Sequence, residues 1–132
     1  MNEQQGQGLI RSLDHLVLTV ADIEATVDFY QRLGMTRETF GPEQRTALVF
    51  GTQKINLHAV DRTFEPKATH PTPGSADLCF LVGNLDEVQD ALAAAGITII
   101  EGPGPRTGAQ GPIRSIYVRD PDQNLIELSE QM

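Results

Sequence analysis

A chain of 132 residues suits one compact domain, or two small half-domains that share a core. Its formal net charge of -8 argues against a nucleic-acid partner, which needs a basic face, and no apolar run approaches the roughly 20 residues of a membrane helix. One cysteine, Cys79, excludes an internal disulfide, and with an N-terminus lacking the basic and apolar regions of a signal peptide it fits a cytoplasmic protein.

Residues 1–11 are polar and rich in Gly and Gln, the composition of a mobile tail, and residues 12–132 are expected to form a single domain. The first strand spans about 12–20. In Asp14-His15-Leu16-Val17-Leu18-Thr19-Val20, His15, Val17 and Thr19 take one face and Leu16, Leu18 and Val20 the other. A helix follows over 22–33, with Asp22 as N-cap, Ile23, Val27, Tyr30 and Leu33 at helical spacing, and Gly34 as its stop. Gly41-Pro42 turns the chain into a strand at 45–50. A tight Gly51-Thr52-Gln53 turn then opens a strand at 54–60, where Ile55, Leu57 and Ala59 oppose Asn56 and His58. Pro66, Pro71, Pro73 and Gly74 mark 63–75 as a linker between module one (12–62) and module two (76–130). Module two carries a strand at 76–82 and a helix at 84–95, with Asn84 as cap and Glu87 placed for a capping box. A strand at 98–101 and a long Gly/Pro loop over 102–112 come next. A last hairpin, 113–118 and 125–129, closes around Asp120-Pro121-Asp122-Gln123-Asn124.

The two modules are repeats. His15–Met35 aligns without a gap on Asp77–Ile97, an offset of 62, so that Val20 meets Val82, Asp28 meets Asp90 and Gly34 meets Gly96. Further on an offset of 69 pairs Arg45 with Arg114, Val49 with Val118 and His58 with Glu127, the extra seven residues being assigned to the Gly/Pro loop. Each module therefore reads β-α-β-β-β. A four-stranded half with one helix covers only one of its faces, so the halves are expected to pair as a curved sheet with helices outside and a polar concavity inside.

The repeat places four ligand-capable residues at two pairs of equivalent positions, His15 with Asp77 and His58 with Glu127. Each lies on the strand face opposite the apolar one. Two imidazoles and one or two carboxylates converging in a cleft would suit a divalent first-row metal with positions open for water or substrate. Taken singly, each has a plainer reading: a hydrogen-bonded structural His, an Asp closing a turn, an exposed Glu. His70, without a repeat partner, reads as solvent-facing, and Cys79 is not required as a ligand.

The segments Asp14-His15-Leu16, Phe29-Tyr30 with Leu33-Gly34-Met35, and Asp120-Pro121-Asp122-Gln123-Asn124-Leu125-Ile126-Glu127 resemble those of the vicinal oxygen chelate superfamily, which includes glyoxalase I, extradiol dioxygenases and bleomycin-binding proteins. Gln53-Lys54-Ile55-Asn56-Leu57-His58 and Pro71–Phe80 look closest to the glyoxalase-domain-containing protein 5 subgroup, which takes in virulence-associated glyoxalase-like proteins. The resemblance implies an α+β fold of tandem βαβββ modules in a curved, open, barrel-like eight-stranded sheet. It implies a divalent metal (nickel, zinc, manganese or iron) held by His15, His58, Asp77 and Glu127, with types exchanged relative to glyoxalase I at His58 and Asp77. It further implies a homodimer with sites near the interface.

The activity so implied is that of a glyoxalase-like lyase or isomerase acting on a small α-oxo compound or its thiol adduct, through a metal-stabilised enediolate. Glu127 would be the base, with Asp77 or a bound water as a second proton carrier. Thr19 stands where glyoxalase I tends to carry an Arg that grips glutathione, leaving Lys54, Arg62, Arg106 or Arg114 as candidates for that contact. The 102–112 loop is a candidate lid. The rival expectations are a non-catalytic binding or resistance protein, or a dioxygenase, epimerase or fosfomycin-type transferase on the same scaffold.

Overall fold

A computed structural model describes residues 8–132; the first seven positions of the expected tail lie outside the described residues. The alternation around His15 becomes strand β1 (His15–Val20), which buries Leu18 and Val20 on one face. Helix α1 (Ile23–Arg32) starts where the Asp22 carboxylate accepts the Ala25 N–H at 3.1 Å. Three strands complete module one, β2 (Thr36–Phe40), β3 (Arg45–Phe50) and β4 (Gln53–Ala59). Module two repeats the order with β5 (Asp77–Leu81), α2 (Leu85–Ala95), β6 (Glu101–Gly108), β7 (Gly111–Arg119) and β8 (Leu125–Gln131). Asn84 caps α2 by accepting the Glu87 N–H at 3.0 Å.

The eight strands form two four-stranded sheets, ordered β1-β4-β3-β2 and β5-β8-β7-β6, which do not close into a barrel. In each sheet the first strand runs parallel to the last, and the remaining pairs are antiparallel. The expected α+β architecture of tandem βαβββ modules is thus present.

Two segments differ from the sequence expectation, and both lie at sheet edges. Strand β2, Thr-Arg-Glu-Thr-Phe, carries no apolar alternation because one edge of it is free and its residues are almost all exposed. The segment 102–112 is no loop: most of it is β6 and the start of β7, joined by a tight turn at 109–110. Pro103 and Pro105 are tolerated because β6 is an edge strand, where a missing N–H leaves no ladder partner short. Gly102 serves close packing there, since a Cβ on it would lie 2.4 Å from the Ser115 carbonyl oxygen. The strand expected at 98–101 begins only at Glu101, though Ile100 N–H already reaches the Tyr117 carbonyl at 2.8 Å.

Both modules feed one apolar core. Tyr30, Leu48, Ile55 and Leu57 from module one are fully buried beside Leu85, Leu92, Ile116 and Ile126 from module two. Phe50 and Phe80 meet edge to face across the junction at 5.3 Å. At its centre the buried Tyr30 hydroxyl donates to Asp120 Oδ2 at 2.7 Å. The other Asp120 oxygen accepts the Asp122 and Asn124 N–H groups, at 2.9 and 3.0 Å. Asn124 Oδ1 accepts the Ala76 N–H at 2.8 Å, and Asp122 Oδ1 accepts the Ala21 N–H at 3.1 Å. The 120–124 turn is therefore a clasp between α1, the end of β1 and the start of β5.

Burial, then the adjacent Asp120 carboxylate, push the Tyr30 hydroxyl well above the ordinary tyrosine range. Replacing Tyr30 by Phe removes the donor from a buried carboxylate and should cost about 1–3 kcal/mol in urea unfolding. The folded hydroxyl stays protonated where the unfolded one ionises, so wild-type stability should fall as pH rises above about 10, and fall less steeply in Tyr30→Phe.

Candidate functional site

Strand alternation gives each sheet one face on the core and one open face. On sheet one the open face carries His15, Val17 and Thr19 from β1, and Lys54, Asn56 and His58 from β4. Arg45 joins them from β3, its Nη2 lying 3.1 Å from His58 Nε2. On sheet two it carries Asp77, Cys79 and Leu81 from β5, Glu127 and Ser129 from β8, and Ser115 and Tyr117 from β7.

The strand register revises one equivalence read from the sequence. Val17 pairs with Asn56 and Thr19 with His58, while Cys79 pairs with Glu127 and Leu81 with Ser129. Val17 and Cys79 occupy the same place in the repeat, so Asn56 is the counterpart of Glu127, and His58 is the counterpart of Ser129. The offset for the last strand is thus 71, not 69. Between β3 and β7 the slip is a single residue, which exchanges the two faces of a strand. Arg45 consequently points to the open face, whereas Arg114 is on the helix side and lies 3.6 Å from Asp86 of α2. Sequence reading placed Asn56 on the correct face but passed over it; pairing β4 against β1 rather than reading along it would have found it.

The four expected ligands are divided between the two sheets. His15 and His58 stand on sheet one, Asp77 and Glu127 on sheet two. Among the described residues no three His, Cys, Asp or Glu side chains gather as a group able to hold a metal ion. His15 is half-exposed, and its Nδ1 is held by Asp14 Oδ1 at 2.8 Å, an arrangement that leaves Nε2 for a ligand. Asn56 is 8% exposed, and its side-chain oxygen is buried without a hydrogen-bond partner. His58 is otherwise engaged. It is 3% exposed, and Arg45 Nη2, which can only donate, meets its Nε2 at 3.1 Å, so that nitrogen is unprotonated.

On sheet two, Glu127 Oε2 accepts the Ser115 hydroxyl at 2.6 Å, with Ser129 at 3.3 Å. Ser129 also lies 2.6 Å from Ser115 Oγ and 3.3 Å from Cys79 Sγ. One hydrogen on each group suffices for a chain running from the Cys79 thiol through Ser129 and Ser115 to the carboxylate. Desolvation raises the Cys79 thiol above its ordinary range; Ser129 pulls the other way, and the Glu127 and Asp77 carboxylates reinforce the rise. The net effect favours the thiol form of Cys79 over the thiolate.

Each open face lines a cavity. On sheet one, Pro66, Lys67 and Thr72 of the linker lie over Val17, Thr19 and His58 and enclose about 480 Å³. Gly74, at φ 82°, fits the linker against the clasp, where a Cβ would lie 2.5 Å from the Asp122 carbonyl oxygen. His70 is exposed at the cavity's rim. On sheet two, Ala109 and Gln110 of the β6–β7 turn wall a cavity of about 470 Å³ that reaches Cys79, Glu127 and Gln131. No helix among the described residues is long and apolar enough to cross a membrane.

Burial, then the Arg45 and Lys67 charges, hold His58 below the ordinary histidine range. Its folded value is depressed, so the neutral ring contributes stability above the unfolded value of about 6.5 that is lost as pH falls through the folded one. His58→Gln should therefore show a smaller loss of stability than wild type between pH 7.5 and 5, read from urea melts at each pH.

The sequence profile of the Glyoxalase/Bleomycin resistance protein/Dioxygenase superfamily matches residues 12–128. The glyoxalase domain-containing protein RDO1 of Mycosarcoma maydis is 58% identical over 127 residues, covering 96% of this chain and 72% of that protein. Virulence protein STM3117 of Salmonella typhimurium is 56% identical over 126 residues, covering 94% and 87%. Its crystal structure superposes with a TM-score of 0.91, covering 95% of this chain and all of that one. Lactoylglutathione lyase from Agrobacterium tumefaciens shares the fold at a TM-score of 0.71 and 22% identity, over 93% of this chain and 96% of that one.

Proposed function

Since the chain belongs to the Glyoxalase/Bleomycin resistance protein/Dioxygenase superfamily, we propose that it is a metal-dependent lyase or isomerase of glyoxalase type, acting on a small α-oxo compound or its thiol adduct. The observation that carries this reading is Asn56: a buried, unpartnered side-chain oxygen at the position that the register makes equivalent to Glu127. A buried acceptor without a donor is costly, and a cation satisfies it. His15, Asn56, Asp77 and Glu127 are then the ligand set, one nitrogen and three oxygens, which suits a divalent first-row ion. His58, with its Nε2 taken by Arg45, is left out of that set.

These four stand on separate sheets, so one chain offers two half-sites. A second copy laying its sheet two on the open face of sheet one would complete the site, and exposed Val17 (46%) and Leu81 (60%) provide apolar contact on those faces. A divalent ion held there would polarise two vicinal oxygens of the substrate and acidify the adjoining C–H. The chain's own residues do the rest. Asp14 fixes the His15 ring. The Ser115 hydroxyl, backed by Ser129, holds one Glu127 oxygen, which leaves Oε1 to take a proton from carbon. Asp77, at the head of the neighbouring strand, is the second proton carrier.

The reading is tested by metal content and mass in solution on protein purified without chelator or affinity tag. About one divalent ion per chain and a dimer are expected. Asn56→Ala and Glu127→Ala should lose the metal, while His58→Gln should keep it. Turnover of α-oxoaldehydes, assayed with and without glutathione, should fall at least about a hundredfold in Glu127→Gln. A second reading, sequestration of a small molecule without turnover, is favoured by the division of the candidate ligands between the two sheets of one chain. Protein that takes up no nickel, zinc, manganese or ferrous iron would overturn the first reading in favour of the second.

A further inference from the structure

The open face of sheet one carries, beside Asn56, a group of cations that the site described above does not use. Arg45, Lys54 and Arg62 gather at two phenylalanine rings. The Arg45 guanidinium lies 4.2 Å from the Phe64 ring and 5.7 Å from that of Phe40. Lys54 Nζ is 4.0 Å from Phe40, and the Arg62 guanidinium is 5.6 Å from Phe64. His58 packs edge-on to Phe64 at 5.3 Å and accepts one Arg45 N–H. Among the described residues, neither Arg45 nor Arg62 has a carboxylate within 4.0 Å; Lys54 has one, Glu38, at 3.8 Å.

In a chain with eighteen acidic residues against ten basic ones, three cations sharing one carboxylate need explaining. The stacking positions Arg45 but does not neutralise it. Its guanidinium has five N–H donors, of which His58 takes one. His58, whose Nε2 Arg45 contacts at 3.1 Å, lines the cavity beneath the linker, where Lys67 adds a further charge. The position is informative as well. Asn56 and His58 are alternate residues of one strand, about 6.7 Å apart on the same face.

We propose that Arg45, positioned by His58 and Phe64, is the oxyanion subsite of this chain's substrate: it binds a carboxylate or phosphoryl group carried one strand repeat away from the vicinal oxygens that sit at Asn56. The substrate class becomes a small α-oxo compound with a distal anionic group. The placement of the vicinal oxygens rests on the metal-site reading above, whereas the oxyanion contact does not.

The probes are 2-oxoglutarate and 2-oxopentanoate, which share the vicinal-oxygen head and differ in the distal carboxylate. Calorimetry on metal-loaded wild type should show 2-oxoglutarate binding at least about tenfold more tightly. Arg45→Gln should abolish that preference while leaving 2-oxopentanoate affinity and metal content unchanged, and Arg45→Lys should restore part of it. Unchanged metal content and a native near-ultraviolet circular dichroism spectrum show that the variants are folded. Glutarate binding to EDTA-dialysed protein reads the subsite alone: dependence on Arg45 there upholds the proposal even if the metal-site reading fails. Inorganic phosphate in competition with glutarate tells a phosphoryl-bearing substrate from a carboxylate-bearing one. Equal affinity for the two oxo acids with glutarate binding indifferent to Arg45→Gln, or no binding of glutarate and phosphate at all, would overturn it.

Discussion

The buried hydrogen bond from Tyr30 to Asp120 is the contact on which the relation between the modules depends. A carboxylate 2% exposed is tolerated only if its lone pairs are used, and Asp120 uses them on Tyr30, two backbone N–H groups and the Asn124 amide. Asn124 passes the restraint to Ala76, and Asp122 passes it to Ala21. One five-residue turn thereby sets where β1 ends and β5 begins. Those are the strands that carry His15 and Asp77.

With the core faces of both sheets satisfied by a common interior, the opposite faces are left for function. Each has its own fixed polar group and its own cavity. Sheet one offers an unpartnered amide oxygen with arginine chemistry beside it, and sheet two a carboxylate held by the Ser115 hydroxyl, which Ser129 backs. On the proposed reading the two faces are chemically complementary. The first would hold and orient an anionic, oxygen-rich molecule, and the second would move its proton. That division is what a duplicated module can achieve once its copies diverge at equivalent positions, Asn56 against Glu127 and His15 against Asp77.

Most of the architecture was legible because it rests on local rules. Period-two alternation located β1 and β4, the Asp22 and Asn84 caps located both helices, and the 62-residue offset matched the modules through their helices. The misses share a cause. Edge strands β2 and β6 need neither apolar alternation nor a full set of N–H donors, so a charged stretch and a Gly/Pro stretch both escaped notice. The slip that matched His58 to Glu127 arose where the two copies differ in the lengths around their outer strands. There, gapless reading has no marker of register.

The sequence by itself determined the α+β class, the repeat, the polar faces that bear His15, Asn56, His58, Asp77 and Glu127, and the resemblance to the family. These follow from alternation, capping and motif, properties of residues within one turn or strand of each other. Only the tertiary structure decided that Asn56 is the counterpart of Glu127, that His58 is bound to Arg45, and that the candidate ligands fall on two separate sheets. Register and sheet membership are set by hydrogen bonds between strands distant in the chain. A shift of one or two residues there leaves composition and pattern almost unaltered, yet changes which side chain faces which.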